Sequence, residues 1–391
     1  MPVVNPGDTL QAQWYNTLTA SLGLSPQRFQ LLQPSAPLGT TSDALWAYFN
    51  DLPPDTISSA VQSGGDQFYS TYEAVVNQLL SQGGNRVRAA LGDSYAPWET
   101  FIKANPLAAG QTIVSVFRTW AMTNAPDKTG PGSVALLSVQ NDPIFLAQTA
   151  VTNTSGFINN TPNFSRTIDD LTAALQSAPS VSISFDSSTA SSDISSTWSA
   201  HSSGIFFGAY SGDSSESTFS LKASSARFTV SGTYKSVLTF QADPGSWYSS
   251  AALGNAYSQP DNTLWSHGTP SWLTTFGPNG NMLHFTGSIV VVDGVDLTIT
   301  SYASYNSDEQ DHYRSHSSGG FWPFYSTSST YTRDSDVSFA SNGSLTVRVS
   351  SPAGNPLVLG VNAVPARQYL LGQAAGANVV SAAATPARRA A

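Results

Sequence analysis

The period of the hydrophobic pattern changes near Pro179, and that change constrains the fold more than any other feature of the chain. Before it, apolar residues recur at helical spacing. Leu45, Trp46, Phe49 and Leu52 follow Ser42, a good N-cap residue, and the run stops at Pro53–Pro54. Phe68, Tyr72, Val75, Val76, Leu79 and Leu80 make a second stripe that ends at Gly83–Gly84. Val87, Leu91, Tyr95 and Trp98 make a third, and Ile113, Val116, Phe117 and Trp120 a fourth. Ile168, Leu171 and Leu175 form a last short helix after Ser165. From Val181 the period is two. Val181, Ile183 and Phe185 alternate with Ser182, Ser184 and Asp186, and the alternation returns at Phe219, Leu221 and Ala223 and at Phe228 and Val230. Asp293–Gly294 and Asn342–Gly343 each separate two apolar runs and read as type I′ hairpin turns. The expected fold is therefore α+β. It has an N-terminal helical domain over 1–178, a mostly antiparallel β-sheet domain over 179–371, and a flexible Ala-rich tail over 372–391.

Within the β region the chain repeats itself. HSSGIFFGAYSGDS from His201 and HSSGGFWPFYSTSS from His316 match at His201/His316, Ser202/Ser317, Ser203/Ser318, Gly204/Gly319, Phe206/Phe321, Tyr210/Tyr325, Ser211/Ser326 and Ser214/Ser329. These two related Ser/aromatic-rich segments, near 201–214 and 316–329, imply a duplicated design. Between residues 180 and 222, 17 of 43 residues are serine and five are charged. A strand with hydroxyls on one face and apolar side chains on the other suits a pore wall as well as a surface hairpin. In the first case Phe206, Phe207, Tyr210, Phe321, Trp322, Phe324 and Tyr325 are the membrane-contacting candidates, placed at the tips or the bilayer interface. In the second, the segments are duplicated hairpins of a sandwich whose aromatics cover a core or an edge.

This plan resembles β-pore-forming toxins, including the perforin-like group, in which two convertible segments flank a bent sheet. The resemblance covers residues 180–365 in architecture and composition. No motif of that family is matched residue by residue, so no site residue is carried over.

Composition narrows the alternatives. Only 10% of the 391 residues are charged, against 40% apolar, so the surface is wetted by hydroxyls more than by charge and the chain can bury a core. A net charge of -9 without a basic cluster argues against nucleic acid as a partner. The same acidity means that membrane contact must rest on aromatic insertion or on a cell-surface receptor. Cysteine is absent, which excludes disulfides and thiolate chemistry. Met1–Leu10 lacks a Sec-type leader pattern and no apolar run spans a bilayer as a helix, so the expectation is a soluble chain whose export, if any, takes another route.

The remaining chemistry is sparse. No G-x-S-x-G, G-x-G-x-x-G, P-loop or H-E-x-x-H pattern occurs and no carboxylate pair stands out, so no catalytic residue, cofactor or metal is expected and the chain reads as non-enzymatic. His312 and His316 lie four apart beside Asp308, Glu309 and Asp311, but the stretch reads as loop or strand, where they do not converge on a metal. Trp247, Tyr248, Tyr257, Trp265 and Trp272, interleaved with Gly, Pro and Asn, are candidates for stacking on a glycan. Three functions follow as expectations: an oligomerising, membrane-inserting protein of the β-pore-forming kind, a carbohydrate- or surface-binding module, and a self-assembling structural subunit.

Overall fold

The computed structural model describes residues 6–372 apart from 56, 60–66, 106, 109, 153–156, 199–221, 223–224, 261–263, 267, 317–319, 322–323 and 327–333. It is an α+β fold with helices mostly in the N-terminal half and a large, chiefly antiparallel sheet. In chain order the helices are α1 (Pro6–Ser21), α2 (Ser42–Phe49), α3 (Phe68–Gln78), α4 (Gln82–Leu91), α5 (Tyr95–Ala104), α6 (Ile113–Asn124), α7 (Thr129–Val139), α8 (Pro143–Ala150), α9 (Ile168–Leu175), α10 (Ser250–Ser258), α11 (Trp272–Phe276), α12 (Ser307–His316) and α13 (Ala366–Gly372). The strands are β1 (Phe29–Pro37), β2 (Ser58–Ser59), β3 (Val181–Asp186), β4 (Phe228–Phe240), β5 (His284–Ser301), β6 (Gly320–Phe321), β7 (Tyr325–Ser326), β8 (Asp334–Phe339), β9 (Leu345–Ser350) and β10 (Leu357–Pro365).

The spine is β5, a single 18-residue strand. On one side β4 pairs with it from Phe240↔Ile289 to Phe228↔Ser301, and β3 follows β4 at the sheet edge. On the other side two strands share it. β10 takes the first half, from Pro365↔His284 to Leu357↔Val292, and β9 takes the second, from Asp296↔Ser350 to Ser301↔Leu345. β8 lies beyond β9, β1 beyond β10, and β2 is parallel to β1.

The handover from β10 to β9 falls at Asp293–Gly294, where the sequence predicts a turn. The chain runs straight through instead. Gly294 takes a φ of 65°, the left-handed conformation expected of it, but spends it on a kink opposite Lys235 while β4 keeps both halves paired. The Asp293 carboxylate accepts the backbone N–H groups of Gly354, at 2.9 and 3.1 Å, and of Asn355, at 3.1 Å, and so holds the β9–β10 turn at the handover point. Asn342–Gly343 does make a hairpin, between β8 and β9. Only Gly343 has positive φ there, and bonds from Gly343 N–H to Ala340 O (2.8 Å) and from Ala340 N–H to Ser344 O (2.9 Å) close a three-residue loop rather than a type I′ turn.

Two apolar layers cover the sheet. On one face Val290, Val292, Leu297, Ile299, Phe185 and Val230 meet Leu10, Trp14 and Leu18 of α1. On the other, Ile289, Val291, Val358 and Phe240 meet residues of α2, α3, α9, α10 and α13. A satellite cluster forms within α4–α7 around Leu91, Trp98, Phe117 and Leu136. The expectation that residues 1–178 are purely helical is corrected by β1, which enters the sheet beside β10. Both large layers draw on residues either side of 179, so the sequence boundary does not divide the core. Gly83–Gly84 opens α4 instead of ending α3. Ser81 caps that helix through a 2.6 Å bond from Gly84 N–H, and a side chain at Gly83 would lie 2.5 Å from Val139.

Candidate functional site

β3 and β4 are antiparallel neighbours, and at one end Asp186 stands opposite Thr229. Residues 187–227, which hold the first serine-rich window, connect the strands at that end. Arg227 closes the base. Its Nε donates to Asp186 Oδ1 at 3.0 Å, and its guanidinium lies 4.9 Å from the ring of Tyr302, the residue after β5. The Arg227 hydrogen bond, then those from the Ser188 hydroxyl and N–H, hold the Asp186 carboxyl well below the usual carboxylate range.

The leading stretch, 187–198, is fastened by side chains. Gln13 and Asn16 sit one turn apart on α1. Gln13 Nε2 donates to the carbonyls of Ser187 (2.9 Å) and Ala190 (3.1 Å), and Asn16 Nδ2 to those of Ser191 (2.8 Å) and Asp193 (2.9 Å). These carbonyls therefore depend on two amide side chains that a rotamer change removes. The stretch ends on Trp198, which is 4% exposed and donates its indole N–H to Pro26 O at 3.1 Å. Its ring centroid is 5.3 Å from that of His284. Burial lowers the His284 pKa. Asp55, whose Oδ1 is 2.9 Å from Nδ1 but outside hydrogen-bond alignment, opposes the shift.

At the far end, Lys222 Nζ donates to both oxygens of Glu309, at 2.9 and 2.7 Å, on the first turn of α12. Glu309 also completes a capping box with Asn306. It accepts the Asn306 N–H at 2.8 Å, and its own N–H donates to Asn306 Oδ1 at 2.9 Å. Burial pushes the Glu309 carboxyl up, but the bonds from Lys222 and Asn306 outweigh it and the net shift is downward.

The stretch around His312 and His316 is helical, which corrects the loop-or-strand expectation. The signal was the Asn306-x-x-Glu309 cap, three residues of separation before a charged run. The second window differs from the first in its surroundings. β5 ends at Ser301 and β8 begins at Asp334, but β9 lies between those strands, so residues 302–333 do not join paired neighbours. Phe324 is corrected from a membrane-contacting candidate to a core residue of this conformation. It is 5% exposed, with ring centroids at 5.1 Å from Trp14, 5.6 Å from Phe185 and 5.5 Å from Phe228. Phe321 and Tyr325 pair across the short β6–β7 ladder, and their side chains lie outside the described residues. Phe206, Phe207, Tyr210 and Trp322 lie outside the described residues, as do the expected alternation at Phe219, Leu221 and Ala223 and the 372–391 tail beyond Gly372.

The glycan candidates divide. Trp247 and Trp265 are each 1% exposed, which corrects their assignment as stacking platforms. The Trp247 indole donates to Asn163 O at 2.9 Å inside a cage of Phe68, Tyr69 and Phe164, and that of Trp265 to Ala256 O at 3.3 Å. Tyr248, Tyr257 and Trp272 are half-buried. Tyr248 packs on Phe68 and Tyr72, Tyr257 meets Phe276 edge-on, and the Trp272 indole donates to Tyr257 O at 2.8 Å. Sequence density alone cannot separate such a self-packed cluster from an open platform, because both need the same residues.

Among the described residues no helix is long and apolar enough to cross a membrane, and no three His, Asp or Glu side chains gather as metal ligands. No family model, no curated protein and no solved structure matches the chain.

Proposed function

We propose that this chain is a non-enzymatic, membrane-active protein of the β-pore-forming kind, in which residues 187–227 are the stretch that converts. The observation that carries the reading is the register of β3 and β4. Their paired end, Asp186↔Thr229, is where the serine-rich connection leaves and returns, so both strands can lengthen into one hairpin without breaking the ladder already formed. A bilayer crossing takes about 9–11 residues per strand, which the connection supplies in both directions. Alternation of apolar and hydroxyl residues like that of β3, where Ile183 and Phe185 face the core and Ser182 and Ser184 face out, returns within the connection at Phe219, Leu221 and Ala223. The attachment of 187–198 through amide side chains, rather than through a ladder, favours a stowed segment over a permanent strand.

The second window has another role in this reading. It supplies α12, whose Glu309 ties down the end of the first window. The outer edge of β3, which no strand among the described residues pairs, would meet the next subunit in an oligomer. Partners are then membrane lipid, with or without a cell-surface receptor, and further copies of the chain.

Release of a trapped dye from liposomes tests this. The wild type is compared with a variant in which an Asn-Gly turn replaces 187–227 and closes the β3–β4 hairpin. Leakage by the wild type alone is expected. Wild-type protein that releases no dye from neutral or anionic liposomes at neutral or mildly acidic pH, or a shortened variant that leaks equally, overturns the reading.

A further inference from the structure

A second site lies away from the serine-rich connection. The first two turns of α3 and the Thr269–Asn281 stretch, which contains α11, face each other across a cleft of about 450 Å³. Local bonds build the far wall. Asn281 N–H donates to Thr274 O at 3.2 Å and Met282 N–H to Thr275 O at 2.9 Å, folding the chain back on α11. The wall is fixed to α3 beyond the cleft, where Leu80 N–H donates to Leu264 O at 2.7 Å and Ser266 N–H to Gln78 O at 2.8 Å.

The lining is neutral and hydroxylated. Thr71 and Thr269 contribute hydroxyls and Asn281 an amide, and Ala74 and Pro270 give apolar surface, while the lining hydroxyls of Ser70 and Thr274 already donate to Gln67 O at 3.2 Å and Ser271 O at 3.1 Å. None of these residues ionises, so a charged ligand would surrender hydration with no countercharge to replace it. A hydroxyl both donates and accepts, which matches a ligand made of hydroxyls, and the apolar pair suits its C–H faces. One feature marks unfilled hydrogen-bonding capacity: Asn281 carries a buried side-chain oxygen with no hydrogen-bond partner. Thr71, only 8% exposed, lines the cleft from the opposite side. The volume is in the lower part of the range for small-molecule sites, about 300–1,000 Å³, and accommodates one or two sugar rings.

We infer that this cleft binds a neutral mono- or disaccharide, with the Asn281 amide and the Thr71 hydroxyl fixing its orientation. The inference does not depend on the membrane reading. It also places saccharide recognition on residues other than the buried Trp247 and Trp265.

Saturation-transfer NMR on the full chain tests it, using glucose, galactose, mannose, N-acetylglucosamine and their common neutral disaccharides at millimolar concentration, with glucuronate as the charged control. Transfer to at least one neutral sugar and none to glucuronate is expected. Asn281→Ala and Thr71→Val should each weaken that binding about tenfold. Ala74→Leu, which keeps a strong helix former while filling the cleft, should abolish it. Thermal melts matched to wild type show that the variants fold. No transfer from any neutral sugar, a preference for glucuronate, or binding that survives Ala74→Leu in a folded protein overturns the inference.

Discussion

The Lys222 ammonium donates to both carboxylate oxygens of Glu309, and this pair joins the end of one serine-rich window to the helix that opens the other. Glu309→Gln separates its two duties, because glutamine still completes the cap on Asn306 but loses the charge facing Lys222. The pair is partly exposed, so its loss should cost about 1 kcal/mol. Protease cleavage within 199–221 should then speed up about fivefold while the global melt barely moves. An unchanged cleavage rate would show that the pair restrains nothing.

The same pair sets a pH expectation. The folded Glu309 carboxyl lies below its ordinary value of 4.5, so its contribution is present above that value and is lost as pH falls through the folded one. Cleavage in 199–221 should therefore be flat from neutral pH to about pH 5 and rise only below 4.5, with Glu309→Gln flattening the acid limb. An equal rise in the variant would assign the acid response elsewhere.

Gln13 and Asn16 hold four carbonyls of the leading stretch. Gln13→Ala with Asn16→Ala should raise amide exchange across 187–198 at least tenfold, since each lost bond is worth about 1 kcal/mol, and leave exchange in β5 unchanged. In the membrane reading the double variant also releases liposome dye faster than wild type. Unaltered exchange over 187–198 would mean that Trp198 and the local turns suffice.

Burial pushes the Asp51 carboxyl up to about 7. An acid raised above its unfolded value costs nothing below the unfolded value, and stability falls as pH rises toward the folded one. Asp51→Asn should therefore match wild type near pH 4 and exceed it at pH 7, by about 2 kcal/mol after allowing for partial exposure. Urea melts at the two pH values measure the difference. A gap that is the same at both would contradict the raised value.

Gly294 has positive φ, and a Cβ there would lie 2.7 Å from Lys235 Cδ. Gly294→Ala should cost about 1–3 kcal/mol in a chemical melt, against near neutrality for Gly130→Ala, where nothing lies within 4 Å. Equal costs would argue against the kink.

The hydrophobic period was a sound guide to element type. The helices around Trp46, Tyr72, Phe117 and Leu171 and the strands at Ile183 and Val230 stand where their spacing puts them. Pairing was less legible. Asp293–Gly294 has the composition of a turn, yet a positive-φ glycine serves a kink as readily, and only the uninterrupted partner β4 decides between them. β1 was missed because Phe29–Pro37 contains two prolines and has no long alternation, and its place beside β10 comes from contacts distant in sequence. For the site, duplication drew attention to both windows equally. Nothing local to either reveals that one joins paired strands and the other does not, since that depends on β9 intervening.

The most direct test of the account follows an environment-sensitive dye along the connection. The chain has no cysteine, so single substitutions from Ser187 to Arg227, each coupled to such a dye, report one position at a time. On adding liposomes the account predicts a rise in emission at alternate positions over two runs of about ten residues, the period of a strand with one face in lipid. Emission that stays unchanged throughout, while the protein binds the same liposomes, would contradict it.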